Sequence, residues 1–201
     1  MPYYIVEGMP GCGKSTIAQE LKKVLNGVYC KSIVSDSNFG KLLKSMREDT
    51  ETELTEFFYS IDLLLDELKI QHLISVGKTV IRDKSIISSI AHQAAQGCLI
   101  KDTKMKLFWD AMREEMMSNY SFPDAIIVLN FPLEMIIKRF SDKKDYSRWD
   151  QRLVENPQLY RQQGNALIAA AGIAYPGCKI IEISNGEQSV SECVEDILNR
   201  L

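Results

Sequence analysis

The sequence of 201 residues predicts an α/β fold, a five-stranded parallel sheet with helices on both faces. Three observations carry that reading. Short apolar runs alternate with longer segments of helical periodicity along the whole chain, the pattern of a parallel sheet covered by helices. The first run, Tyr3 to Glu7, is β-branched at its centre and ends at Gly8, as a buried strand does. No internal repeat, low-complexity segment or linker divides the chain, so residues 1–201 read as one domain.

The elements follow in order. Lys14 to Leu25 carries Ile17, Ala18, Leu21, Val24 and Leu25 at helical spacing. Residues 29–35 read as the second strand, and Phe39 to Met46 as a short helix. Glu53 to Leu73 presents Leu54, Phe57, Phe58, Ile61, Leu64, Leu65, Leu68 and Leu73, a long helix with one apolar face. Gly77 stops it, and a third strand begins at Thr79-Val80-Ile81 and ends near Asp83. Helical patterns run from Ile86 to Gln96 and from Lys104 to Met117. The second aligns Met105, Phe108, Trp109, Met112 and Met116, a stripe that reads as core packing. Ala125 to Leu129 is the clearest strand. Pro132 to Phe140 is a helix with Pro in its first turn. Residues 141–150 are charged and polar and read as a mobile lid. Pro157 opens a helix to about Ala171, Lys179 to Ile183 is the last strand, and Val190 to Leu201 the last helix.

Composition narrows the function classes. A net charge of -3 gives no electrostatic footprint for general nucleic-acid binding. The N-terminus has no basic n-region or long apolar segment, and no apolar run approaches the ~18 residues of a membrane span. Cys12, Cys30, Cys98, Cys178 and Cys193 are odd in number, scattered and without a C-x-x-C pair. That argues against a disulfide framework or a zinc site and fits a reducing cytoplasm.

The sharpest signal is Gly8-Met9-Pro10-Gly11-Cys12-Gly13-Lys14-Ser15-Thr16, a full G-x-x-x-x-G-K-[ST] between a predicted strand and a predicted helix. This is a P-loop. Its glycines Gly8, Gly11 and Gly13 let the backbone turn tightly and aim successive N–H groups at one point. The helix N-terminus adds roughly half a positive charge there. Lys14 supplies a mobile point charge for the β- and γ-phosphates, Ser15 a hydroxyl for Mg²⁺, and Thr16 a contact to the α-phosphate. At Cys12 any small residue fits, so no redox role is needed. The expected partners are ATP with Mg²⁺ and a small-molecule acceptor; a homodimer is compatible with this reading. No N-K-x-D string marks a guanine site. The run Ile126-Ile127-Val128-Leu129-Asn130 lacks the D-[DE] end of an ATPase that hydrolyses with water.

The order of motifs resembles the thymidylate kinase family, with deoxynucleoside kinases close behind, over nearly the whole chain. Ile5-Val6-Glu7-Gly8 resembles the family's opening strand. Val80-Ile81-Arg82-Asp83-Lys84-Ser85 with Ser88, Ala91, His92 and Gln93 resembles D-R-Y-x-x-S-x-x-A-Y-Q. Pro123-Asp124 with Leu129-Asn130-Phe131-Pro132-Leu133-Glu134 resembles P-D-x-x-x-x-L-D-V-x-P-E. Ser184-Asn185-Gly186 resembles the loop that flanks the adenine. The resemblance implies a kinase that moves the γ-phosphoryl group of ATP to a nucleotide or nucleoside. It puts Asp83 near Mg²⁺ and the γ-phosphate, Asn185 by the base of ATP, and Gln93 and Phe58 at the acceptor. Arg148, with Lys143 and Lys144, would close the lid, and Asp36 would sit near the acceptor hydroxyl or sugar.

Departures fall on the acceptor side. Lys84 stands where the family places Arg after the Asp. The acceptor loop Asp36-Ser37-Asn38-Phe39-Gly40 is shorter than the family's, and Lys44 falls where its Arg is expected. Asp62 stands where an Arg on the long helix is expected. Lysine lacks the bidentate fork that suits a monophosphate, and a carboxylate repels one. Alternatively Asp62 points to solvent and Arg47 takes over.

Plainer readings stand beside these. Asp83 can cap the helix that starts near Ile86, and Lys84 can be a surface residue. Asp36 can be a turn residue, or a base for an attacking hydroxyl. The run Asp142 to Asp145 with Arg148 and Arg152 can be a solvated face. Two alternatives to a nucleotide kinase follow: a kinase of an unphosphorylated alcohol, and a nucleotide-binding regulator that transfers nothing.

Overall fold

The computed structural model describes residues 1–31, 53–95, 97, 99, 104–116, 121–141 and 155–201. Its strands are β1 (Tyr3–Gly8), β2 (Val28–Lys31), β3 (Val80–Asp83), β4 (Ala125–Leu129) and β5 (Lys179–Ile183). They lie in the order β2-β3-β1-β4-β5, and every pair is parallel. Register runs from Tyr3 opposite Val80 to Gly8 opposite Leu129. β4 is buried at every position, which explains its uninterrupted apolar sequence.

The helices are α1 (Lys14–Val24), α2 (Glu53–Ser75), α3 (Ile86–Ala95), α4 (Lys104–Met116), α5 (Leu133–Ser141), α6 (Pro157–Ala174) and α7 (Val190–Arg200). α1 and α7 pack together on one face of the sheet, while α2, α3 and α6 cover the other. Burying each large aliphatic side chain between these layers contributes about 1.5–3 kcal/mol.

Most predicted elements stand where the periodicity put them, and local chemistry sets the ends. α1 closes at Asn26, whose φ of 48° is left-handed and whose neighbour Gly27 returns its N–H to the Lys22 carbonyl. β2 begins at Val28, one residue before the expected start, because the Val28 N–H already joins the ladder at the Thr79 carbonyl. The rest of that expected strand (32–35) and the short helix from Phe39 to Met46 lie outside the described residues. α6 runs to Ala174, past the expected Ala171, because alanines continue it until Tyr175-Pro176 disfavours another turn. Asn156 caps its start by accepting the Leu159 N–H. In the methionine and aromatic stripe of α4, Trp109 is core as expected. It is buried, donates to the Ala174 carbonyl at 3.0 Å and meets the Tyr175 ring edge-on.

All five strands point their C-terminal ends at one rim. β1 is central: its chain leads to β2 on one side, while β4 lies on the other. That makes the β1–α1 connection a switch point, where parallel α/β sheets bind ligands.

Candidate active site

The P-loop fills that switch point. Gly8 pairs beside Leu129 so closely that a Cβ there would lie 2.5 Å from the Leu129 carbonyl oxygen and 2.7 Å from the Cys12 sulfur. Only glycine fits. Gly13, with φ 90°, turns the chain left-handed directly before α1, and the space over it is open, with Arg139 the nearest group at 3.9 Å. The result is a cradle of backbone N–H groups at a helix N-terminus that carries no acidic residue in its first turn. Lys14 lies across it, its Nζ donating to the Gly8 and Met9 carbonyls at 2.9 Å each. Cys12 is buried, and burial raises its thiol above the ordinary range, so it stays a neutral packing group.

Asp83, at the end of β3, comes to the mouth of this cradle. Its Oδ2 accepts the Ser15 hydroxyl at 2.5 Å and the Tyr29 hydroxyl at 2.7 Å. The helix-cap reading of Asp83 fails: Ser85 takes that part, its hydroxyl accepting the Ile87 N–H at 3.2 Å. A hydroxyl and a carboxylate beside an anion cradle are hard oxygen donors of the kind Mg²⁺ takes. Among the described residues no three His, Cys, Asp or Glu side chains converge on a metal.

Three supporting residues escaped the sequence reading. Glu7 is fully buried in β1, where its carboxylate accepts the Ser85 N–H and the hydroxyls of Ser85 and Ser88. It ties the strand before the P-loop to the start of α3. A carboxylate inside an apolar strand was its only signal in the sequence. Tyr29, on the edge strand, gave none. Arg139 in the last turn of α5 donates to the Cys12 carbonyl at 3.1 Å and the Gly186 carbonyl at 3.0 Å, and lies 5.0 Å over the Phe131 ring. It clamps the P-loop to the loop after β5, where Asn185 makes a local turn by accepting the Glu187 N–H. Sequence reasoning named Lys14, Lys44, Lys84 and the cations of the expected lid, and not Arg139.

Of the residues expected at the acceptor, Asp62 is 1% exposed on α2 and Gln93 is 7% exposed on α3. The alternative in which Asp62 points to solvent therefore fails. Lys84 follows Asp83 at φ 74°, a left-handed conformation uncommon outside glycine, held by its N–H to the Val6 carbonyl. It is half-buried rather than a plain surface lysine. Thr16 is exposed on α1. Asp36, Lys44, Arg47 and Arg148 lie outside the described residues, as does the segment expected to form a lid, beyond Ser141. Phe58 is on α2, its side chain outside the description.

On the opposite face of β3, Arg82 pairs with Glu67 of α2 inside the core. The Tyr3 hydroxyl accepts from Arg82 at 3.3 Å and the Tyr175 hydroxyl donates to Glu67 at 3.3 Å. Burial raises both phenols well above their ordinary range, so they remain neutral.

A parallel α/β sheet with a complete phosphate cradle, Lys14 across it and a Ser15–Asp83 pair at its mouth defines a P-loop phosphotransferase. The family model described as thymidylate kinase matches residues 6–194, and the chain belongs to that family. Among its relatives, the probable thymidylate kinase of Caldivirga maquilingensis is 30% identical, over 69% of this chain and 67% of its own. The thymidylate kinase of Leptospira borgpetersenii is 25% identical over 98% and 94%. Two solved structures share the fold. Thymidylate kinase from Candida albicans has a TM-score of 0.70 at 17% identity, covering 99% of this chain and 90% of that one. Deoxyadenosine kinase from M. mycoides with bound dATP has a TM-score of 0.66 at 18% identity, covering 98% of each. No helix among the described residues is long and apolar enough to cross a membrane.

Proposed function

We propose that the chain transfers the γ-phosphoryl group of ATP to a nucleoside or nucleotide, and that ordinary thymidylate is a poor acceptor. The observation that carries the donor half is Asp83 held against Ser15 at the mouth of the cradle. In this reading backbone N–H groups from Gly8 to Thr16 hold the phosphates. Lys14 moves its ammonium onto the β- and γ-oxygens, and Ser15 and Asp83 hold the ion's side of the site. Bound Mg²⁺ would neutralise charge on the phosphates during transfer. Arg139 and Asn185 border the space for the base. Asp36 orients the attacking hydroxyl and accepts its proton, and Arg148 closes with the 141–150 segment to exclude water and spread charge.

The acceptor half rests on Asp62. In this reading the buried Asp62 faces the acceptor, where a carboxylate repels a dianionic monophosphate more than one in water would. Lys44 and Lys84 supply charge without the planar fork of arginine. That favours, as a second reading, an acceptor with no phosphate of its own.

The test is ADP release with dTMP, dUMP, thymidine, other nucleosides and polyols, for the wild type and Lys14→Ala. Lys14→Ala is expected to abolish transfer with the fold intact; full activity there would sink the donor assignment. A kcat/KM for dTMP above about 10⁵ M⁻¹s⁻¹, within the ordinary enzyme range, would overturn the acceptor assignment. Nucleotide binding with no transfer to any acceptor would instead mark a regulator.

A further inference from the structure

We infer that Tyr29 is a positioning residue for the metal side of the site: its hydroxyl fixes Asp83 so that Asp83 and Ser15 together receive the nucleotide-bound cation. The inference rests on reading the P-loop as a Mg²⁺–ATP site. Three elements meet at one oxygen, since Asp83 Oδ2 on β3 takes one hydroxyl from α1 and another from β2. A terminal carboxylate turns about its last bond over a broad range. One donor leaves that rotation free, whereas two donors converging from different elements fix its plane. Both bonds fall on Oδ2, and among the described residues Oδ1 accepts none, which leaves it for the water shell of an ion.

The donor types fit the task. Asp83 has no ion pair among the described residues. Two neutral hydroxyls hold it without cancelling its charge. Ser15 must turn its lone pairs to the cation while giving its proton to Asp83, so it is a shared donor; Tyr29 is the donor the cation does not compete for. Gln19, one turn after Ser15 on α1, also lies against the Tyr29 hydroxyl. Tyr29 also ends only two residues before the close of β2, which leads into the acceptor-side segment.

Calorimetric titration of ATP into the full chain, with Mg²⁺ and with EDTA, tests this in wild type, Tyr29→Phe, Asp83→Ala and the double variant. Wild type is expected to bind ATP more tightly with Mg²⁺. Tyr29→Phe should keep its affinity in EDTA within about twofold and lose roughly three- to tenfold of the Mg²⁺ gain, the scale of one hydrogen bond. The double variant should be no worse than Asp83→Ala, because Tyr29 acts through Asp83. An equal Mg²⁺ gain in wild type and Tyr29→Phe would overturn the inference, and so would equal losses with and without Mg²⁺, which would mark a purely structural role. A wild type that binds no ATP in either buffer would overturn the P-loop reading as well.

Discussion

Arg82 and Asp83 are neighbours on one strand and face opposite sides of the sheet, and they are held in opposite ways. Arg82 is sealed in the core against Glu67, with two neutral phenols around the pair. Among the described residues Asp83 accepts two hydroxyls, one from the P-loop helix and one from the edge strand. A charge matched by an opposite charge is spent on architecture. A charge held by neutral donors keeps its field for a third body. On the proposed function the contrast separates scaffold from chemistry within two residues, and identity alone does not make it: both are charged and both are buried.

The sharpest way to break that comparison is to remove one partner of the sealed pair. Arg82→Met leaves Glu67 uncompensated and is expected to cost about 3–5 kcal/mol in urea unfolding. Arg82→Met with Glu67→Leu should regain most of that, since Arg82 Nη2 makes no hydrogen bond among the described residues and the pair is imperfectly satisfied. A single variant as stable as wild type would mean the pair does not hold α2 to β3. Asp83→Asn should do the reverse. Its stability should stay within about 1 kcal/mol of wild type, while kcat/KM falls by roughly 10²-fold, the scale of losing one preorganised electrostatic group. Loss of stability without loss of rate would make Asp83 a second Arg82. Arg139→Lys is the gentlest change: charge stays, but the fork that reaches both Cys12 and Gly186 goes. The expected result is a KM for ATP raised about tenfold with kcat within twofold; a change confined to kcat would point away from nucleotide binding.

Much of the fold was legible because its signals are local. The runs Ala125 to Leu129 and Lys179 to Ile183 match their strands end to end: the first is buried at every position and so apolar throughout, while the second, at the sheet edge, keeps a short isoleucine-rich run with Lys179 and Glu182 exposed. Helix ends moved by one to three residues where a cap or a left-handed residue decided them, as at Asn26. The cradle was legible for the same reason, being nine consecutive residues. Its supports were not. Tyr29, Glu7 and Arg139 act on groups 54, 78 and 127 residues away in sequence, and no spacing rule spans such distances. Asp83 is marked by the family's pattern of neighbours, yet its partner Tyr29 carries no motif at all.

The floor of the cradle carries a consequence for synthesis. The nine-residue motif is complete once the first 16 residues have been made, but Gly8 lies against Leu129, and the Tyr3 backbone exchanges hydrogen bonds with Asp124. A nascent chain that has not yet emerged past β4 thus displays every letter of the motif and has nothing to close the loop against. Competence to hold a nucleotide arrives with a strand made more than 100 residues later, so on the ribosome the ligand can stabilise this protein only near the end of its folding, not at the start.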